Sequence, residues 1–450
     1  MVKYASARFD KAVELLTQVL TAPGAADGVI DRYFKAHRNM GSTDRRFAAA
    51  TVYGCLRHRR ELMAIASEVI KAPWSIDDSA MLVGMFLLRY EGWTADVFTP
   101  TVFADIVNNK PEAINNSGRN LLSQGDLLLQ FDTRKLSAAE HLSLPDWLYQ
   151  ALNRQLSDVE IIDLVTSLNQ PATVDLRVNL RHGSVEQLGR ALLAEDIETM
   201  PTSISVCGLR RATRGPLQNT RAFKQGGFEF QDEGSQLISW LLQPQPDEFI
   251  VDYCAGAGGK TLHLADSMNN RGTILACDIA PRRLAQLKPR LVRAGIRNVV
   301  SQVLLPDGAA LEVYQRTADG VLVDAPCSGT GTLRRSPDLR WRDIDLVTMQ
   351  QQQLQILIEA SELVKPGGRL VYATCSLLEE ENQVVVAQFL ARDARFAIDP
   401  LPRVNDDATQ AALVGVDPAL LDSLCQSGIL QLWPHQHGTD GFFAQRLRRI

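Results

Sequence analysis

Asp252-Tyr253-Cys254-Ala255-Gly256-Ala257-Gly258-Gly259-Lys260-Thr261 decides the fold. The apolar run Phe249-Ile250-Val251 leads into it and Leu262-His263-Leu264-Ala265 follows. The stretch therefore reads as a strand, a glycine-rich turn and the opening of a helix. Small residues let the backbone approach a ligand closely, and a helix N-terminus favours polar or anionic groups there. An ordinary tight strand–helix connection would look similar. A nucleoside triphosphate P-loop would look closer still, but that motif needs glycine six positions before the lysine, where this chain has Cys254. Val321-Leu322-Val323-Asp324 could pass for the second strand of such an NTPase.

Working outward, the following strand Leu275-Ala276-Cys277-Asp278 ends in an acid. An acid there suits the hydroxyls of a ribose and has no place in the P-loop mechanism. Asp307 closes the next short strand, where an adenine amino group could reach it, although an acid before Gly308 is also an ordinary turn residue. Strands ending at Asp324 and at Thr374-Cys375-Ser376 complete the pattern. Apolar strands alternating with helices predict a mostly parallel, doubly wound α/β sheet over 229–450, with ligands beyond the carboxyl ends of its strands.

Upstream, 141–228 reads as a small α+β module: PATVDLRVNL alternates as a half-buried strand and VEQLGRALLAE is an amphipathic helix. Residues 1–140 read as all-α, with apolar residues at helical spacing in ARFDKAVELLTQVL and DRRFAAATVYGCLRHRRELMAIASEVI. The chain of 450 residues thus divides into three domains.

The net charge of −5 places no basic tail on the chain, so nucleic acid would have to meet local patches. Candidates are Arg45, Arg46, Arg57, Arg59 and Arg60, and later Arg334, Arg335, Arg340 and Arg342; solvated helix faces are the plainer reading of both clusters. Seven cysteines with no CxxC pair exclude zinc-knuckle and thioredoxin patterns and imply a reducing compartment. The first residues lack a signal-peptide core and no stretch is apolar enough to span a bilayer, so the expectation is a cytoplasmic protein. His435 and His437 read as a turn before Gly438 with no third ligand, and no metal is expected. Trp341 and Tyr372 could stack a base but read first as core.

Two cysteines, Cys327 in Asp324-Ala325-Pro326-Cys327-Ser328-Gly329 and Cys375 in Thr374-Cys375-Ser376, sit at strand ends beside small polar residues. Carbon 5 of cytosine is too weak a nucleophile to take a sulfonium methyl group unaided. A thiolate added to carbon 6 makes it an enamine, and a proton must leave carbon 5 before the thiolate departs. One thiol can attack and another can assist release, with Asp324 placed to hydrogen-bond the ring. Spacing alone does not say which thiol attacks. A neighbouring positive charge would favour the thiolate, and Lys260 is the candidate.

DYCAGAGGKT, VDAPCSGTG and YATCS, in this order, resemble the Nop/Sun family of RNA cytosine-5 methyltransferases, most closely its bacterial RsmB-type branch. QDEGSQL, LRRSPDLRW, LEEENQVV and HGTDGFFAQRLRR extend the likeness, DRRFAAATVYGCLRHRRE is similar to the branch's NusB-like helical domain, and PATVDLRVNL to its RRM-like module. The resemblance implies a C-terminal Rossmann-like class I methyltransferase. It implies that Cys254, Ala255, Gly256, Ala257, Gly258, Gly259 and Lys260 hold the methionine part of S-adenosylmethionine, Asp278 its ribose and Asp307 its adenine, with Asp324 lining both cofactor and cytosine sites. It assigns attack to Cys375 and release to Cys327. It further implies a monomeric enzyme acting on ribosomal RNA, 16S rRNA first, with transfer RNA as runner-up. An NTPase and a non-catalytic RNA-binding assembly factor are the rival classes. One departure stands out: the family's Ala-Pro in the cofactor loop is Gly256-Ala257 here, which would loosen that loop.

Overall fold

The computed structural model describes residues 2–70, 79–94, 125–211, 215–305, 309–401 and 418–450. The helical spacing of the N-terminal part becomes α1 (Val2–Thr21), α2 (Ala26–Ala36), α3 (Ser42–Ile70), α4 (Ser79–Tyr90), α5 (Asp146–Asn153) and α6 (Asp158–Leu168). The apolar faces of α1 to α4 share a core that includes Phe9, Leu16, Val52, Leu62, Met85 and Phe86. Helix α6 opens on a reciprocal cap, in which the Ser157 hydroxyl accepts from the Glu160 N–H and the Glu160 side chain accepts from the Ser157 N–H.

These helices form one unit, Met1–Gln170, together with a distant segment, Leu333–Asp343; the other unit is Pro171–Thr332 with Ile344–Ile450. Arg340 explains why the segment belongs with the helices. Its fully buried guanidinium donates to the carbonyls of Arg57 at 2.7 Å and Ser143 at 3.1 Å, and to Asn169 Oδ1 at 3.0 Å. Trp341 Nε1 donates to the Leu56 carbonyl at 2.7 Å, and Arg57 donates to the Arg334 carbonyl at 3.0 Å. Arg57, Arg334 and Arg340 are therefore buried, which removes them from the candidate basic patches. A guanidinium can satisfy several carbonyls at once, so an arginine-rich string can be an internal strut.

The second unit begins with a sheet of order β2-β3-β1-β4, built from β1 (Val174–Val178), β2 (Thr199–Pro201), β3 (Gly208–Arg211) and β4 (Phe228–Phe230), with α7 (Val185–Leu193) packed on it through Leu188 and Leu192. Arg210 ties this sheet to the following helix, α8 (Glu233–Leu241), reaching Asp175 at 2.7 Å and Glu233 at 3.2 Å.

The larger sheet comprises β5 (Phe249–Asp252), β6 (Thr273–Asp278), β7 (Val299–Val303), β8 (Ala318–Asp324), β9 (Val364–Thr374), β10 (Phe396–Ile398), β11 (Ile429–Leu432) and β12 (Phe442–Arg449). Its order is β10-β12-β9-β8-β5-β6-β7, with β11 paired to β12. The run from β9 to β7 is parallel, and β12 lies antiparallel to β9. Helices α9 (Gly259–Ser267), α10 (Leu287–Ala294), α11 (Leu346–Ser361) and α12 (Gln383–Arg392) connect the strands. The chain runs outward from β5 through β6 to β7, then returns to β5's other side with β8 and β9. That reversal opens a crevice at the carboxyl ends of β5 and β8, where Asp252 and Asp324 end their strands. Among the described residues, no helix is long and apolar enough to cross a membrane.

Candidate active site

The glycine-rich turn leaves β5 and enters α9 at the mouth of this crevice. Gly258 caps α9 with φ +85°, and a Cβ there would fall 2.1 Å from Leu287 Cδ1. Gly256 has φ +56°, and a Cβ would fall 2.7 Å from an Arg283 terminal nitrogen. Both positions need glycine for the backbone and for the neighbour that leans over it.

Two side chains hold the loop without the missing proline. Asp278 Oδ2 accepts the Gly256 N–H at 2.8 Å, and its other oxygen accepts the Ala280 N–H at 2.7 Å. Arg290 donates to the Ala257 carbonyl at 2.6 Å while Glu229 grips the same guanidinium at 3.0 Å.

The loop walls a cavity of about 330 Å³. Cys254, Ala255, Gly256, Ala257, Gly259 and Lys260 line it with Asp252, Asp324, Arg283 and Phe442. Asp252 is fully buried; Thr261 Oγ1 donates to its Oδ2 at 2.6 Å, and its Oδ1 meets no donor among the described residues. Burial pushes its carboxyl up to about 7, against the pull of the Thr261 bond.

Lys260 Nζ donates to Asp324 Oδ2 at 2.6 Å. Burial alone would pull the ammonium down. Asp324, followed by Cys375 and Asp252, outweighs it and holds the group above the ordinary lysine value. The same ammonium lies 5.8 Å from the centre of the Phe442 ring.

The two thiols meet on the β8 and β9 side. Cys327 Sγ lies 3.3 Å from Cys375 Sγ. The hydrogen bond to Cys375, then burial and the charge of Cys375, drive the Cys327 thiol well above its ordinary range. The raised value favours the protonated form of Cys327. The loops that carry them are stitched together: the Gly331 N–H donates to the Cys375 carbonyl at 2.9 Å and the Leu377 N–H to Thr330 Oγ1 at 2.9 Å.

The structure thus gathers Lys260, Asp324, Cys327 and Cys375. Asp278 stands behind the loop rather than on the cavity wall, and Asp307 lies outside the described residues. His435 and His437 fall in the short turn Pro434–His437, and Tyr372 is fully buried in the core. Sequence reasoning assigned no role to Asp252, Arg283, Arg290 or Phe442. Asp252 could have been found, because it is the last residue of the strand before the glycine-rich turn.

A parallel sheet that reverses at β5 and β8, a glycine-rich turn at that reversal and acids at successive strand ends define a class I methyltransferase. The chain belongs to the 16S rRNA methyltransferase RsmB/F family, whose model matches residues 239–448; an RsmF/B-like ferredoxin-like domain matches 144–218. It is 30% identical to the probable ribosomal RNA small subunit methyltransferase B of Synechocystis sp., across 94% of this chain and 95% of that one. It is 30% identical to the ribosomal RNA small subunit methyltransferase B of Yersinia pestis, across 97% of each. Among solved structures it is similar to PH0851, with TM-score 0.77 and 27% identity over 98% of each chain. A methyltransferase homologue from Pyrococcus horikoshii follows with TM-score 0.53 and 28% identity, over 68% of this chain and 100% of that one.

S-adenosylmethionine is the cofactor of this family, and the residues present fit it. The unpartnered Asp252 Oδ1 suits an ammonium, and the Gly256–Gly259 turn leaves room for a backbone-hugging ligand. Bound there, the cofactor supplies an electrophilic methyl group.

Proposed function

We propose that this protein methylates carbon 5 of a cytosine in RNA, with Cys375 as nucleophile and Cys327 as the group that assists release. The observation that supports this most is the 3.3 Å thiol pair beside Lys260 and Asp324. Cys375 lies close enough to Lys260 to raise that ammonium, and in this reading it attacks as the thiolate, paired with that positive charge. Its addition to carbon 6 forms the S–C6 bond and turns carbon 5 into a nucleophile. Lys260 and Asp324 hydrogen-bond the ring and steady the charge it gains.

Forming that bond removes the negative charge on Cys375, which is what holds the Cys327 proton in place. Cys327 can then release its proton to solvent and, as the thiolate, take the proton from carbon 5. The S–C6 bond breaks, Cys375 leaves as thiolate, and the pyrimidine regains its aromatic ring. Asp278 and Asp307 would serve the ribose and adenine of the cofactor.

The substrate follows from the relatives, which are named for small-subunit ribosomal RNA. The base must be unpaired or flipped to reach a sulfur at the sheet edge. We keep the three-domain division at 140 and 228, with the NusB-like helices and the RRM-like module serving RNA. Bisulfite sequencing of total RNA from a strain lacking this gene tests the reading. Loss of one 5-methylcytosine in 16S rRNA supports it. Loss in transfer RNA would redirect the substrate, and no loss in any RNA would refute the activity.

A further inference from the structure

A carboxylate buried behind the two thiols has no place in the mechanism above. Glu381 is fully buried and ends a short turn, Glu379–Glu381, just before α12. No basic side chain pairs with it among the described ion pairs. Its neighbours are donors instead. Oε1 accepts the Ser328 N–H at 2.8 Å and Gln353 Nε2 at 3.0 Å. Oε2 accepts the hydroxyls of Ser328 and Ser376. Four donors fill the acceptor positions of one carboxylate. Ser328 follows Cys327 and Ser376 follows Cys375, so a single side chain grips the residue after each thiol.

We propose that Glu381 is the positioning residue of the thiol pair: it clamps the β8 and β9 loops through Ser328 and Ser376 and thereby sets the sulfur separation. The inference rests on the two-thiol reading above. Surrounding contacts agree with a clamp. The Ser328 and Ser376 hydroxyls lie 3.2 Å apart, and Ser376 lies 3.2 Å from Thr330 Oγ1. Gln353 also donates to the Pro326 carbonyl at 3.0 Å, one residue before Cys327. Asn382, the next residue, donates to the Ser376 carbonyl at 3.0 Å. The Glu381 carboxylate, the Gln353 amide nitrogen and the Asn382 amide nitrogen thus all reach the two loops that carry the thiols.

The charge of Glu381 also contributes to holding Cys327 protonated. The clamp therefore favours both the distance and the charge state of the pair.

The test uses the full chain, three variants of Glu381 and one of Cys327. Thiol spacing is read by phenylarsine oxide, which one arsenic atom binds tightly only through two adjacent sulfurs; Cys327→Ala is the control. Glu381→Ala is expected to lower kcat about 100-fold, the cost of a misplaced reacting group, with S-adenosylmethionine affinity unchanged and arsenical capture lost. Glu381→Gln should recover most of both, because its oxygen can serve Ser328 N–H and Gln353 while the serine hydroxyls rotate to accept from its amide. Glu381→Asp keeps the charge but cannot span both serines, so it should fall between them, and it decides the matter if the alanine variant fails to fold. Arsenical capture needs no RNA, so it judges the clamp even if the activity proves different. Undiminished capture in Glu381→Asp and Glu381→Ala, or a glutamine variant no better than alanine, would overturn the proposal.

Discussion

Cys327 and Cys375 bring their two sulfurs within hydrogen-bond distance, 3.3 Å apart. Removing either sulfur should have a different consequence. Cys375→Ala is expected to bind S-adenosylmethionine normally and to lose methyl transfer to below detection. Cys327→Ala is expected to attack but not to release, so a protein–RNA adduct should accumulate as a slow band on a denaturing gel. Adduct with the first variant and none with the second would reverse the roles.

Asp252 makes cofactor affinity depend on pH. Its carboxyl stands at about 7 in the protein without ligand, and an ammonium beside Oδ1 favours the ionised form. Binding should therefore tighten as pH rises toward that value, by up to about tenfold per unit, then level off. Calorimetry in buffers of different ionisation enthalpy should show a proton released on binding below about 7. Asp252→Asn should bind weakly with no such slope. The same raised carboxyl bears on stability in the opposite sense: its neutral form is the one the fold tolerates, so this contribution is greatest in acid and is lost as pH rises through the same value.

Arg290 should carry the rigidity that a proline would otherwise give the cofactor loop. Arg290→Ala frees the Ala257 carbonyl, now held at 2.6 Å. We expect S-adenosylmethionine to bind about tenfold more weakly, or ~1.4 kcal/mol, with faster backbone hydrogen exchange at 255–258. Unchanged exchange would show that Asp278 alone holds the turn.

Gly258→Ala asks a different question of the same turn. A side chain at φ +85° costs about 1–2 kcal/mol before the contact with Leu287 Cδ1 is counted. The variant should melt lower and bind cofactor poorly, both measurable by thermal shift with and without ligand.

Arg340→Met should destabilise the helical unit by about 3 kcal/mol, because three buried acceptors lose a charged donor. Urea unfolding followed by circular dichroism measures it. Cofactor affinity, which depends on the other unit, should not change.

The sequence made the large sheet readable because its strands are apolar on both faces and end in residues of unusual type: an acid at 252, 278 and 324, a cysteine at 375. Hydrophobic periodicity also marked α3 and α7. Arg57, Arg334 and Arg340 were misread because a charged residue at helical spacing looks the same whether it faces water or a ring of carbonyls. Only the approach of Ser143 and Asn169, distant in sequence, makes Arg340 an internal group. Glu381 was hidden for a related reason. Three consecutive glutamates read as a solvated turn, and nothing local reveals that the last of them reaches two serines 53 and 5 positions away. The raised Cys327 thiol was equally invisible to spacing, since it arises from contact with Cys375 and from burial.

The segment Leu333–Asp343 has a consequence for how this chain is made. The ribosome delivers α1 to α6 first, yet their unit lacks Arg340 and Trp341 until residue 343 has been synthesised. Until then the carbonyls of Leu56, Arg57 and Ser143 lack the donors they have in the finished protein. The first helices to emerge must wait, partly finished, for a late strip of chain to arrive. The earliest-born part of the molecule is thus sealed only once Asp343 has been made, and a premature stop before that point would leave it open.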